Sequence, residues 1–76
     1  MTITELQHLY RDHQLTEAVI EPSVREGNWV IEFRHIKGGF ILLTDHLGVE
    51  CLYDDLDEAS KNALAIGFQQ VRIESL

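Results

Sequence analysis

The stretch NWVIEFRHIKGGFILLTDHLGVECLYDDLDEASKNALAIGFQQVRIE, residues 28–74, decides the fold. It reads as three alternating strands, a capped helix closing on Gly67-Phe68, and one last strand. Over 28–36, Trp29, Ile31, Phe33 and His35 point to one side, and Val30, Glu32, Arg34 and Ile36 to the other. Lys37-Gly38-Gly39 supplies the positive-φ positions of a tight hairpin. A two-residue loop there sets odd positions of the first strand against even positions of the second. Phe40, Leu42 and Thr44 are then predicted to join Trp29, Ile31 and Phe33 on the core face. Ile41 and Leu43 fall on the opposite face, so this strand is apolar on both sides, the mark of a central, twice-covered strand. After the turn Asp45-His46-Leu47-Gly48, residues 49–53 read as a fourth strand with Val49, Cys51 and Tyr53 inward.

Downstream, Asp55 is placed to cap a helix, with Glu58 as its capping-box partner. Asp54, Asp55, Asp57 and Glu58 lie where the helix dipole favours negative charge. Leu56, Ala59, Ala63 and Ile66 form the stripe to be buried, with Leu64 at its margin. Gly67 is a good stop, and Phe68 can fold back over the last turn. In the final strand Val71 and Ile73 face in, and Arg72 and Glu74 face out.

Upstream, Thr2 and Glu5 make a capping box for a helix over 2–13, whose stripe is Ile3, Leu6, Leu9, Tyr10 and His13. Three turns are marginal alone, so the stripe must dock. Residues 17–23 read as an edge strand, because Pro22 cannot donate to a ladder, and residues 25–28 as a turn. The predicted fold is one α+β domain over residues 1–76: short helix, four-stranded antiparallel meander, capped helix, final strand (α-β-β-β-β-α-β). The second helix covers one sheet face; the first lies beside it or over part of the other face.

Seventy-six residues bury only about 60% of the surface their unfolded chain exposes. Domains near this size often rely on a disulfide, a metal or a partner subunit. A single Cys51 excludes an internal disulfide, and no paired Cys/His spacing suggests structural zinc. Hydrophobic residues at 45% and charged residues at 25% are ordinary for a folded soluble domain. No apolar run nears the roughly 20 residues a membrane span needs. The first 15 residues carry no basic start or apolar signal core. With a lone cysteine, the expected location is the cytoplasm.

The net charge of −7 opposes phosphate binding, which usually shows as a basic footprint. The acids Asp45, Glu50, Asp54, Asp55, Asp57 and Glu58 read as a solvated turn plus a helix start. His8 and His13 are five apart, a spacing that does not align two ligands on a helix. His35 and His46 lie at opposite ends of one hairpin. Residues 54–58 lack the glycine and alternating oxygens of a calcium loop. Cys51 has no activating neighbour, and Lys37-Gly38-Gly39 precedes a strand rather than a helix, unlike a phosphate loop. Trp29, Phe33, Phe40 and Tyr53 resemble a base-stacking platform, yet the alternation already assigns them to a core. No catalytic residue, cofactor or metal is expected, and the chain reads as a non-enzyme.

Leu56-Asp57-Glu58-Ala59, then Ala63, Ala65, Ile66-Gly67-Phe68 and Val71-Arg72-Ile73, resemble the carboxy-terminal half of small uncharacterised plasmid- and mobile-element-associated proteins of proteobacteria, of the pseudomonad type. The resemblance spans residues 54–74 and rests on caps and packing positions. It implies a bacterial, mobile-element context and brings no catalytic residues.

The functional expectation is a non-enzymatic protein-interaction domain, either a homodimer or a module that docks another protein. Its predicted interface is the second sheet face, with Val30, Arg34, Ile36, Ile41, Leu43 and Leu52, since a large exposed apolar patch usually marks a partner site. The alternative is a nucleic-acid-related regulator of a mobile element: a weak binder, or an acidic DNA mimic that occupies a DNA-binding protein.

Overall fold

A computed structural model describes residues 1–25 and 27–74; of the predicted turn at 25–28, Glu26 lies outside them. Helix α1 (Ile3–Arg11) starts where the capping box places it. Thr2 Oγ1 accepts from the Glu5 N–H at 3.3 Å, and Glu5 Oε1 accepts from the Thr2 N–H at 2.9 Å. That backbone bond is the main reason the Glu5 carboxyl titrates below its ordinary range. The helix ends at a left-handed His13 (φ 59°). The His13 N–H bonds to the Tyr10 carbonyl and the Gln14 N–H to that of Leu9, the two bonds of a Schellman stop. His13 is therefore an exposed terminator, not a member of the buried stripe as its spacing suggested. Leu6 is fully buried, with Ile3, Leu9 and Tyr10 packed around it.

Helix α2 (Leu56–Ile66) buries Ala59, Ala63 and Ile66, and leaves Leu64 exposed. Its cap is single-armed: Asp55 Oδ1 accepts from the Asp57 N–H at 3.0 Å, without the return from Glu58 that the spacing predicted. Gly67 stops it at φ 137°, and Phe68 folds back into the core. The Phe68 ring centroid lies 4.7 Å from that of Tyr10 and 5.6 Å from that of Phe33, tying α1, the turn after α2 and the sheet together.

Among the described residues the sheet has four strands: β1 (Leu15–Pro22), β2 (Trp29–His35), β3 (Phe40–Leu42) and β4 (Arg72–Ile73). Their order is β3-β2-β1-β4, with β1-β2 and β2-β3 antiparallel and β1-β4 parallel. The sheet is thus mixed and not the antiparallel meander expected, because the chain crosses over through α2 before adding β4 beside β1. Residues 49–53 do not form a fourth meander strand. They run back along the chain through two isolated bridges, Thr44 with Glu50 and Trp29 with Tyr53, and a bond from the Cys51 N–H to the Leu43 carbonyl at 3.1 Å.

Pro22 does not put β1 at an edge. It stands opposite Trp29, whose N–H and C=O both turn the other way to bond Tyr53, at 2.8 and 2.9 Å. Pro22 therefore occupies a position where the β1-β2 ladder needs no donor.

The hairpin loop also overturns an expectation. Arg34 pairs with Phe40 and Phe33 with Ile41, leaving residues 35–39 as the loop. Gly38 and Gly39 take positive φ, 100° and 80°, while the His35 N–H bonds to the Gly39 carbonyl at 3.1 Å. A five-residue loop sets odd positions against odd, where a two-residue loop sets odd against even. A slip of one residue turns every side chain of a strand to the other face. Ile41 and Leu43 consequently join Phe33 in the core, and Phe40 and Leu42 face away. Both helices pack on the Phe33 face, α1 beside α2, where Gln7 Nε2 donates to the Ala65 carbonyl at 2.9 Å.

Candidate functional site

The sheet face turned away from the helices has no second layer among the described residues. Alternation and register bring to it Glu17, Val19 and Glu21 from β1, Val30, Glu32 and Arg34 from β2, Phe40 and Leu42 from β3, and Arg72 from β4. Val19 and Val30 are buried even so, at 1% and 4% exposure. Val19 stands between Glu32 and Arg72 in the ladder and Val30 opposite Glu21, long side chains of the kind whose aliphatic stems cover apolar neighbours. Phe40 is 49% exposed, with the Arg34 guanidinium 5.5 Å from its ring centroid, a cation–π contact.

Charge divides this face along the strand direction. Toward one end, Glu17 bridges Arg34 at 4.0 Å and Arg72 at 3.1 Å, and Arg72 also meets Glu74 at 3.0 Å. Such exposed pairs contribute about 0–1 kcal/mol each and hold geometry more than stability. Toward the other end, Glu21, Glu50 and Glu74 gather around Glu32. Burial first, then a hydrogen bond and charge from Glu21, then the charges of Glu74 and Glu50, push the Glu32 carboxyl up to about 7.

Of the predicted interface residues, Val30 and Arg34 lie on this face. Ile36 is exposed just beyond β2, its N–H bonded to the Gln14 carbonyl at 2.8 Å. Leu52 is exposed between Cys51 and Tyr53, which both pack inward. Ile41 and Leu43 do not belong to it: the hairpin register packs both against the core, where Leu43 is 1% exposed. Phe40 and Leu42 take their place, and only the loop length marks them for it.

The polar residues weighed as chemistry are dispersed. His8, His13 and His46 are exposed, and His35 Nδ1 accepts from the Lys37 N–H at 3.1 Å. Burial, and then Cys51, push the Tyr53 phenol up to about 12. Asp54 accepts from Asn28 Nδ2 and Asp55 caps α2, so two acids of the 54–58 run serve local structure. Among the described residues no three His, Cys, Asp or Glu side chains converge as metal ligands, and no helix is long and apolar enough to cross a membrane. Comparison with protein-family models, curated proteins and solved structures finds no match.

Proposed function

We propose that the chain is a non-enzymatic protein-interaction domain whose open sheet face receives a second copy of itself or another protein. The observation that carries this reading is the placement of the exposed Phe40 and the half-buried Leu42 on a face that neither helix covers. The charge pattern favours a second copy first. A copy turned end for end lays its Arg34 and Arg72 across the Glu21, Glu32 and Glu50 end of its mate, and a two-fold axis repeats the contact. Four strands at their usual spacing project to about 400 Å², below the roughly 800 Å² per partner of a stable complex. The association is accordingly weak and concentration-dependent.

Sedimentation velocity from micromolar to millimolar protein tests it. The average mass should rise with concentration in the parent. Leu42→Glu should stay monomeric over the same range, whereas Leu64→Glu, on the outer side of α2, should behave as the parent does. A parent that remains monomeric at millimolar concentration removes the second copy and leaves another protein as occupant. Equal effects of the two substitutions would remove this face from the account.

A further inference from the structure

A second surface lies at the edge of the sheet. Among the described residues β4 pairs with β1 at Val19 and Ile20 alone, and none of them places a strand beside the outer edge of β1 along residues 15–18. The chain leaving α2 passes this edge at a distance and forms an opposing wall. Between them is an open cleft of about 750 Å³ lined by Tyr10, Glu17, Arg34, Phe68, Gln70 and Arg72. It adjoins a hollow of about 460 Å³ that shares Tyr10, Thr16 and Phe68 and adds Arg11 and His13. The strand is irregular here, with a register shift between Leu15 and Glu17, as is common where an edge is put to use.

Charge sets this place apart. The chain carries four arginines and a net charge of −7, yet Arg11, Arg34 and Arg72 all line these two adjoining hollows. Arg34 and Arg72 are engaged by Glu17, at 4.0 and 3.1 Å, in pairs whose side chains are a third to a half exposed. Water weakens such pairs, so an incoming carboxylate exchanges with Glu17 at small cost. Arg11 has no carboxylate within bridging distance among the described residues. The Tyr10 and Phe68 rings, 4.7 Å apart, add an aromatic flank.

We infer that this cleft binds an extended, carboxylate-bearing peptide segment of a partner protein. An unpartnered strand edge offers main-chain hydrogen bonds to an extended peptide. In such a peptide alternate side chains fall on one side about 7 Å apart, a spacing that presents carboxylates singly to separate guanidinium groups. Dense phosphate is disfavoured, because Glu17 at the site and Glu74 on Arg72 stand among the arginines and the whole chain is acidic. The cleft borders the open sheet face and shares Glu17, Arg34 and Arg72 with it, but the edge of β1 and the Tyr10–Phe68 flank belong to the cleft alone.

The test is a ¹⁵N–¹H titration of the whole chain with a capped hexapeptide alternating valine and glutamate, in about 50 mM salt, where charge contacts are strongest. Saturable shifts should appear at the amides of residues 15–18 and 68–71. Arg11→Gln, on the exposed end of α1, and Arg72→Gln should each weaken binding about tenfold, the usual effect of losing one charge-assisted bond. The spectrum of each variant reports whether it remains folded. Four outcomes overturn the inference: no saturable shifts, equal binding of the valine–lysine counterpart, the same shifts from free glutamate at equal concentration, or preferred binding of a thymidine decanucleotide.

Discussion

At Gly67 an added side chain has nowhere to go. A Cβ built there lies 2.6 Å from both Cδ1 and Cε1 of Tyr10, and the φ of 137° is one that L side chains rarely adopt. Gly67→Ala should therefore combine backbone strain with displacement of Tyr10 from Phe68, and lower stability by about 1–3 kcal/mol in urea unfolding. An unchanged midpoint would show that the turn relaxes freely. Glu32 makes a different prediction, in pH. Its carboxyl holds a proton up to about 7 in the folded chain, against about 4.3 when unfolded. Between those values the folded state binds more protons, so the Glu32 contribution is greatest below the unfolded value and falls as pH rises through 7. Glu32→Gln should flatten the decline in urea midpoint between pH 5 and pH 8 and be the more stable chain at pH 8. Identical slopes would mean that the four glutamates do not crowd in solution.

Among the elements, α1 shows what local chemistry decides. Its box uses two side chains three residues apart, and Thr2→Ala should cost about 1 kcal/mol, seen as a lower thermal midpoint with little change in the far-ultraviolet spectrum. That box, the α2 stripe and the alternation of β2 were legible because each depends on neighbours within one or two turns. Val30 and Arg34 were placed on the open face for the same reason. The β3 facing was not legible: Phe40, Ile41, Leu42 and Leu43 are four apolar residues in a row, so no alternation marks an inside, and the loop length alone decides. β4 is harder still. It meets β1 at Val19-Arg72 and Ile20-Ile73, a contact across most of the chain that no local pattern announces. Pro22 misled because its missing N–H matters only where a ladder partner would have faced it. Residues 49–53 misled because a strand-like run needs a continuous edge beside it, and here the backbone bonds are scattered, joining Val49 with Asp45, Cys51 with Leu43 and Tyr53 with Trp29.

The whole molecule has a radius of gyration of 11.4 Å, as expected of a compact chain of this length. Its bare sheet face is therefore not the result of a loose or extended shape. Two short helices simply cover one side. Stability for such a chain is about 4–11 kcal/mol in total, and Phe33, fully buried at the meeting of sheet and helices, accounts for a large share. Phe33→Ala should cost about 3–5 kcal/mol and bring the chain close to unfolding at room temperature; a variant with a near-parent melting curve would mean that the core collapses around the gap. The hairpin register bears on how this core is reached. With apolar residues at each of positions 40–43, a two-residue turn through Lys37-Gly38 would also bury a pair of large side chains, Phe40 and Leu42. The folding chain thus carries a competitor to its own native hairpin, a locally frustrated choice. The native register is held by Leu43 in the core and by the Thr44 N–H bonded to the Met1 carbonyl at 2.8 Å.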